Sequence, residues 1–302
     1  MFREVAERAS FSGAALALDY TQSVVSHHVA QLERELGVTL VERGKRPVRL
    51  TPAGERLHAH SGTILGAARS AEADLRAVAG LETGTLRMGA FLTACASFVP
   101  AAIGAFISEH PRVDVRLEQL EPPASLLRLT SGELDLAVVF TEQADSPEPD
   151  PRLARVKLAD DPYRVALPPG HRLARRREVA LADLRDERFT APRPEGGGLR
   201  YRAMLERLCR DAGFSPNLAY AVDDVTVARA FVAAGLTVAV VPDMTIARPR
   251  PDVAVRPLRG IDPHRPVDVM WVGDRRSPGI APMVAALSAA AQQRFGQGRR
   301  SE

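Results

Sequence analysis

The chain has little that would tie it to an oxidising compartment, a membrane or a metal. Its 302 residues include two cysteines, Cys95 and Cys209, too few and too far apart for a disulfide framework or a thiolate metal site. A reducing cytoplasm is therefore the expected setting. No stretch approaches the ~18 apolar residues of a membrane span, and no basic segment followed by an apolar core opens the chain. A membrane partner is not expected. Aromatic residues make up only 5% and the formal net charge is only +3, so bulk charge alone does not demand nucleic acid. The histidines offer no better metal site. His27 and His28 would project ~100° apart on a helix, and His58 and His60 ~200° apart. Neither pair can readily close on one ion.

Enzyme signatures are missing as well. The chain contains no G-x-S-x-G, no G-x-x-x-x-G-K-[ST] and no H-E-x-x-H. Gly196-Gly197-Gly198 has no strand leading directly into it, and reads as a loop at a cleft rim rather than a phosphate cradle. No cofactor is expected.

What is present is a pattern over residues 10–36. Two short helical stretches are separated by Asp19-Tyr20, with Ser12 expected to cap the first and Thr21 the second. A helix before them spans Phe2 to Ala9. In the last of the three, Val25, Val29, Leu32 and Leu36 recur at 4, 3 and 4, forming one apolar stripe. The opposite face carries Ser23, His27, Ala30, Gln31 and Arg34, all small, polar or cationic, as a helix lying in a DNA major groove requires. Gly37 suits a C-terminal cap.

Residues 1–60 hold eight Arg/Lys and seven Asp/Glu, so this segment is not basic in bulk. Its charge is positioned instead. Arg43, Lys45, Arg46 and Arg49 crowd into a loop between two expected short strands, Val38–Val41 and Val48–Thr51, which would form a wing. Such a cluster is often just a solvated loop, but directly after a helix-turn-helix pattern it points to phosphate contact.

From Thr51 onward Leu57, Ser61, Ile64, Ala68, Ala71, Leu75 and Val78 recur in heptad spacing. A helix of about 27 residues would run ~40 Å, long enough to serve as a dimerisation seam. After Gly84 strands and helices alternate. Strands are expected at 86–90, 113–117, 134–139, 163–167, 218–222, 237–241 and 267–272. Helices are expected at 97–108, 123–131, 199–212, 224–234 and 280–295. The alternation predicts a largely parallel sheet and a hinged, two-lobed binding domain.

Together these features resemble the LysR-type transcriptional regulators. The match is densest at the N-terminus: Phe2-x-x-Val5-Ala6, Ser10-Phe11, Ala14-Ala15, Leu18, Thr21-Gln22, Ser26, Leu32-Glu33, Leu36-Gly37, Leu40, Arg43, Leu50-Thr51 and Ala53-Gly54. Shorter similar segments follow at 86–89, 131–135 and 232–242. Ser23 stands where the family often has Pro, and Val41 where it often has Phe.

The resemblance implies an all-α winged helix-turn-helix over residues 1–55 and a linker and dimerisation helix over 52–81. An α/β effector-binding domain like a type 2 periplasmic binding protein would occupy 85–302. Its first lobe would cover about 85–160 and 268–302, its second about 161–267. Under this reading the third helix enters the major groove of promoter or operator DNA. Gln22, Ser23, Ser26, His27, Gln31 and Arg34 are the candidates there, with Thr21 and Ser26 suited to phosphate oxygens. Arg43, Lys45, Arg46 and Arg49 would add sequence-independent affinity. Leu57, Ile64, Ala68, Ala71, Leu75 and Val78 would join protomers into a homodimer or homotetramer.

For the effector, the family's pocket positions fall on Thr93, Ser97 and Thr141 in one lobe and Arg193, Glu195, Gly197 and Asp224 in the other. Free N–H groups near Thr93 suggest an anion site, hence a small carboxylate, although Thr93 and Ser97 also suit plain helix caps. RNA polymerase is a further expected partner. The rival readings are an α/β enzyme or a solute-binding protein with an unrelated helical N-terminus.

Overall fold

The computed structural model describes residues 1–42, 44–45, 47–78, 84–141, 150–193, 199–246, 252–273 and 279–296. They form two compact units, one of Met1–Glu72 with Thr130–Glu133 and the other of Ala73–Leu129 with Leu134–Glu302.

The N-terminal unit opens with three helices, α1 (Phe2–Arg8), α2 (Phe11–Leu18) and α3 (Gln22–Leu36). Ser10, not Ser12, caps α2, its side chain accepting the Gly13 N–H at 3.1 Å. That cap starts the helix two residues earlier than the sequence suggests. Thr21 caps α3 through its side chain, and Gly37 ends that helix with φ 68°, a left-handed position that glycine takes without a Cβ penalty. Between α2 and α3, Asp19 makes the turn at φ 56°.

The core between the helices is built from Phe2, Val5, Ala14, Ala15, Val25 and Val29, closed by Leu40 and Val41. The expected pair of wing strands is reduced to a single bridge, Val41 to Leu50, supported by the Glu42 N–H donating to the Arg49 carbonyl. The Leu40 and Val41 N–H groups donate to Glu33 and the Val48 N–H to the Ala9 carbonyl, so these groups are not available for a longer ladder. A long helix, α4 (Pro52–Val78), follows. Thr51 starts it, its Oγ1 accepting from the Gly54 N–H, and Pro52 takes the first position, where its missing N–H costs nothing. Gly54 is obligatory here: a Cβ would lie 2.1 Å from the Leu40 carbonyl oxygen.

The second unit begins with β1 (Gly84–Ala90), α5 (Leu92–Cys95), α6 (Val99–Glu109), β2 (Val113–Gln119), α7 (Pro122–Thr130) and β3 (Leu136–Phe140). A 15-residue strand, β4 (Leu153–Leu167), follows, then a 3-10 turn at Leu181–Leu184 and β5 (Arg188–Ala191). Next come α8 (Leu199–Asp211), β6 (Asn217–Ala221), α9 (Val225–Ala233), β7 (Ala239–Pro242), a 3-10 turn at Asp243–Ile246 and β8 (Ala254–Pro257). The last elements are β9 (His264–Val272) and α10 (Ile280–Gly296).

The sheet is mixed rather than largely parallel. Its order is β2-β1-β3-β9-β4-β7, with β8 also on β4. Within it the β1 pairings to β2 and β3 are parallel and β3–β9, β9–β4, β4–β7 and β4–β8 antiparallel, while β5 and β6 form a separate parallel pair. The cause is β4. It runs against β9 from Leu153 to Pro162, then pairs with β7 and β8 from Tyr163 onward, so one strand serves two lobes. The first lobe's core gathers Leu86, Met88, Phe106, Val267 and Leu287. The second gathers Tyr163, Val165, Phe189, Leu205 and Val240. Among the described residues no helix is long and apolar enough to cross a membrane.

Candidate DNA-reading face and ligand cleft

In the N-terminal unit the packing decides which face of α3 is free. Val25 and Val29 are buried and Leu32 is half-buried, so the opposite side of the helix faces solvent. Thr21, Gln22, Ser23, Ser26, His27, Gln31 and Arg34 are all exposed. Leu36, at the end of the apolar stripe, lies beyond the core and is exposed as well. The polar residues of this face are held by local bonds. Thr21 Oγ1 and Ser23 Oγ are 2.9 Å apart, and Gln31 Nε2 donates to Glu35 Oε1 at 2.9 Å.

Glu33 holds the wing to this helix, its Oε1 accepting from the Leu40 and Val41 N–H groups at 2.7 and 3.2 Å. That role was not legible in the sequence, where Glu33 reads as one more solvated carboxylate. Lys45 and Arg49 are exposed on the wing. Gln22, Ser26 and Lys45 border one open groove of about 1140 Å³. Arg43 and Arg46 lie outside the described residues.

Along α4, Ile64, Ala68, Ala71 and Leu75 are exposed, with Ile64 at 58% and Leu75 at 70%. Leu57 differs from the rest of the expected seam, being packed against the core of the N-terminal unit. The side chain of Val78 is outside the described set.

The second unit contains a cavity of about 460 Å³, bordered by Phe91, Thr93, Glu121 and Phe140 from the first lobe. Tyr163, Thr190, Arg193, Tyr201 and Asp223 border it from the second. Arg265 forms its floor. This guanidinium is 5% exposed, and a buried cation requires a partner. The partner is Asp161, fully buried and facing it across the β4–β9 pairing. Arg265 Nε and Nη2 lie 3.0 and 2.9 Å from Asp161 Oδ2, and Nη2 also donates to Thr93 Oγ1 at 2.7 Å.

The other Asp161 oxygen accepts the Met244 N–H at 2.9 Å. Burial pushes the Asp161 carboxyl up, while the Arg265 guanidinium and the Met244 amide pull it back. Arg265 also stacks 4.3 Å from the Phe140 ring centre and 5.1 Å from that of Phe91, a cation–π arrangement. One side chain thus ties the first lobe's Thr93 to the strand that runs into the second lobe.

Of the residues assigned to this pocket from the sequence, Thr93 and Arg193 border the cavity. Arg193 is paired, its backbone N–H and Nη2 donating to the two Asp223 oxygens at 3.0 and 2.6 Å. Those bonds hold the Asp223 carboxyl below its usual range. Ser97, Thr141 and Asp224 are absent from the lining. Asp224 is occupied as the cap of α9, accepting from the Thr226 and Val227 N–H groups, and its neighbour Asp223 faces the cavity instead. Glu195 and Gly197 are outside the described residues.

Next to the expected anion site beside Thr93 lies the Glu121 carboxyl. The α5 helix has only four residues, and the carboxyl of Glu121 takes the Leu92 N–H. Phe91, Glu121, Phe140, Tyr163, Thr190, Tyr201 and Arg265 were not singled out from the sequence. They come from five separate strands and helices or the turns between them, and no local spacing links them.

A winged helix-turn-helix joined to a two-lobed α/β unit with a cavity between its lobes defines a ligand-responsive DNA-binding regulator. Comparison with known proteins agrees. Residues 1–55 match the family model described as the bacterial regulatory helix-turn-helix protein of the lysR family, and residues 79–292 match the LysR substrate binding domain. The chain belongs to the LysR family of transcriptional regulators.

It is 34% identical over 242 residues to the regulator ShiR of Corynebacterium glutamicum, covering 79% of each chain. It is 31% identical over 255 residues to the transcriptional dual regulator GltC of Bacillus subtilis, covering 84% of this chain and 83% of GltC. Among solved structures, full-length CbnR complexed with its target DNA aligns with a TM-score of 0.69 and 26% identity, over 96% of this chain and 97% of CbnR. These relatives are regulators of transcription, which sets aside the enzyme and solute-binding alternatives.

Proposed function

We propose that α3 reads DNA bases in the major groove through Gln22, Ser23, Ser26, His27, Gln31 and Arg34, with Thr21 on a neighbouring phosphate. Gln22 or Gln31 would bond adenine in the paired geometry that an amide allows, and Arg34 would bond guanine or a phosphate. Lys45 and Arg49, with Arg43 and Arg46, would neutralise phosphates. The observation that carries this reading is the exposed face of α3, polar but for the small Ala30, opposite the buried Val25 and Val29.

A regulator of this kind works in the cytoplasm, where it meets promoter or operator DNA and RNA polymerase. The exposed Ile64, Ala68, Ala71 and Leu75 of α4, continued by Val78, support a seam for a homodimer or a dimer-based tetramer. Leu57 would contribute only its outer edge.

The cavity between the lobes would take a small-molecule effector. Thr93 and Arg193 border it; Ser97, Thr141 and Asp224 would contribute only after a change in lobe arrangement, and Glu195 and Gly197 stay proposed from the sequence alone. A carboxylate effector would need a free cation or amide. Arg193, Arg265 and the Leu92 N–H are all engaged, which weighs against that class. An effector must favour one arrangement of the lobes over another to act at all. The Arg265 bonds to Thr93 and Asp161 are the natural place for such a difference to register.

The test is sequencing of the DNA that the protein occupies in the cell, followed by footprinting of a recovered site. A small set of sites sharing one motif is expected. Occupancy spread evenly over the chromosome, or following base composition alone, would sink the proposal.

A further inference from the structure

Among the described residues four charged side chains border the interlobe cavity: Arg193, Arg265, Glu121 and Asp223. Three are matched within the protein. Arg193 and Asp223 pair with each other at 2.6 Å, and Arg265 is held by Asp161. Glu121 is the exception. It is exposed, faces the cavity, and forms no ion pair within 4 Å among the described residues. Its contacts are the Leu92 N–H and the more distant field of Arg265, and the protein around it raises its carboxyl through desolvation.

A second polar group at the cavity wall can serve a ligand of either charge, so the sign is set by Glu121. Thr190 is 2% exposed, it borders the cavity, and its hydroxyl oxygen has no hydrogen-bond partner among the described residues. A buried hydroxyl left unsatisfied costs free energy that a ligand donor would recover. The remaining walls include the rings of Tyr163 and Tyr201 and the side chains of Val240 and Pro242. Among the described residues an incoming carboxylate would meet no unpaired guanidinium and would approach an unmatched carboxylate. An ammonium group would find an anionic acceptor, a free hydroxyl oxygen and ring faces that attract cations.

We propose that the effector of this cleft is a small organic cation, an amine on a compact apolar or aromatic body, whose ammonium group bonds to the Glu121 carboxylate and the Thr190 hydroxyl. This rests on the cleft being the effector site.

Three probes of matched shape test it on the full chain in phosphate buffer: 2-phenylethylamine, 2-phenylethanol and phenylacetate. Calorimetric titration and thermal melting are the readouts. The amine is expected to bind roughly tenfold more tightly than the carboxylate, a fraction of the full Coulomb effect because Glu121 is accessible to solvent. The alcohol should fall between them. Glu121→Gln should erase the preference for the amine while leaving alcohol binding unchanged, and Thr190→Val should weaken the amine severalfold.

Tightest binding by phenylacetate, a preference that survives Glu121→Gln, or no response to any probe would each overturn the proposal. Val222→Trp, which fills the cavity, separates this failure from failure of the cleft reading. Where it abolishes binding of a preferred carboxylate, only the charge class is wrong. Where binding persists in the folded variant, the cleft is not the site.

Discussion

Arg49 stands exposed on the wing, so its contribution to DNA binding should come from charge rather than shape. Arg49→Ala should weaken binding to all sequences alike and flatten the salt dependence by ~0.9 log unit for one lost phosphate contact. Fluorescence anisotropy across a salt series measures this, and a loss confined to one site would argue against it. Asp161 makes the opposite kind of contribution. Asp161→Asn would leave Arg265 buried with a neutral partner, and a broken buried pair costs about 3–5 kcal/mol. A melting transition close to wild type would refute the pairing.

The two thiols give a check that depends on pH. Burial, with Glu206 nearby, pushes Cys209 up to about 12, and burial raises Cys95 as well. The unfolded thiol ionises near 8.5, so Cys209 favours the folded state fully below that value, and the contribution is lost as pH rises toward 12. At pH 8 Cys209 is almost entirely thiol. Iodoacetamide should therefore leave Cys209 unlabelled until the protein unfolds, and rapid labelling of the native protein would contradict its burial. The exposed face of α3 was legible because one helix's periodicity fixes it. Glu121, Thr190 and Arg265 were not, because residues up to 144 positions apart meet only once the strands are paired.

Among the elements, α4 carries the clearest expectation. Ile64 and Leu75 are large, apolar and largely exposed, a pattern that in a regulator of this family suits a partner helix. Ile64→Glu with Leu75→Glu should shift the sedimenting species toward monomer at micromolar concentration while helical content is kept. An unchanged mass would place the assembly elsewhere. The course of α4 from Leu57 to Val78 was readable from seven heptad positions in a row; residues 79–81 of the expected helix lie outside the described residues. The length of β4 was not, since its first ten residues alternate charge and small apolar groups and gain strand character only from pairing with β9. Four-residue strands such as β5 and β8 are too short for any periodicity to announce. The wing went the other way: two β-like runs form one bridge because Leu40, Val41 and Val48 donate their N–H groups to Glu33 and Ala9.

At the scale of the molecule, the sequence separates the DNA-reading unit from the α/β unit, and the change of period from 3.6 to alternating strands and helices marks the division. The antiparallel crossing of β4 and β9 joins the two lobes through single strands, and no local pattern reports it. The central claim is that the exposed face of α3 confers sequence preference on the whole regulator. Its most direct test is titration of wild type and Gln31→Ala against a recovered operator and a random duplex at the same salt. Gln31→Ala should lose about 1–3 kcal/mol on the operator, relax preference at one base position, and bind random DNA as wild type does. Equal losses on both duplexes would contradict base reading by this face.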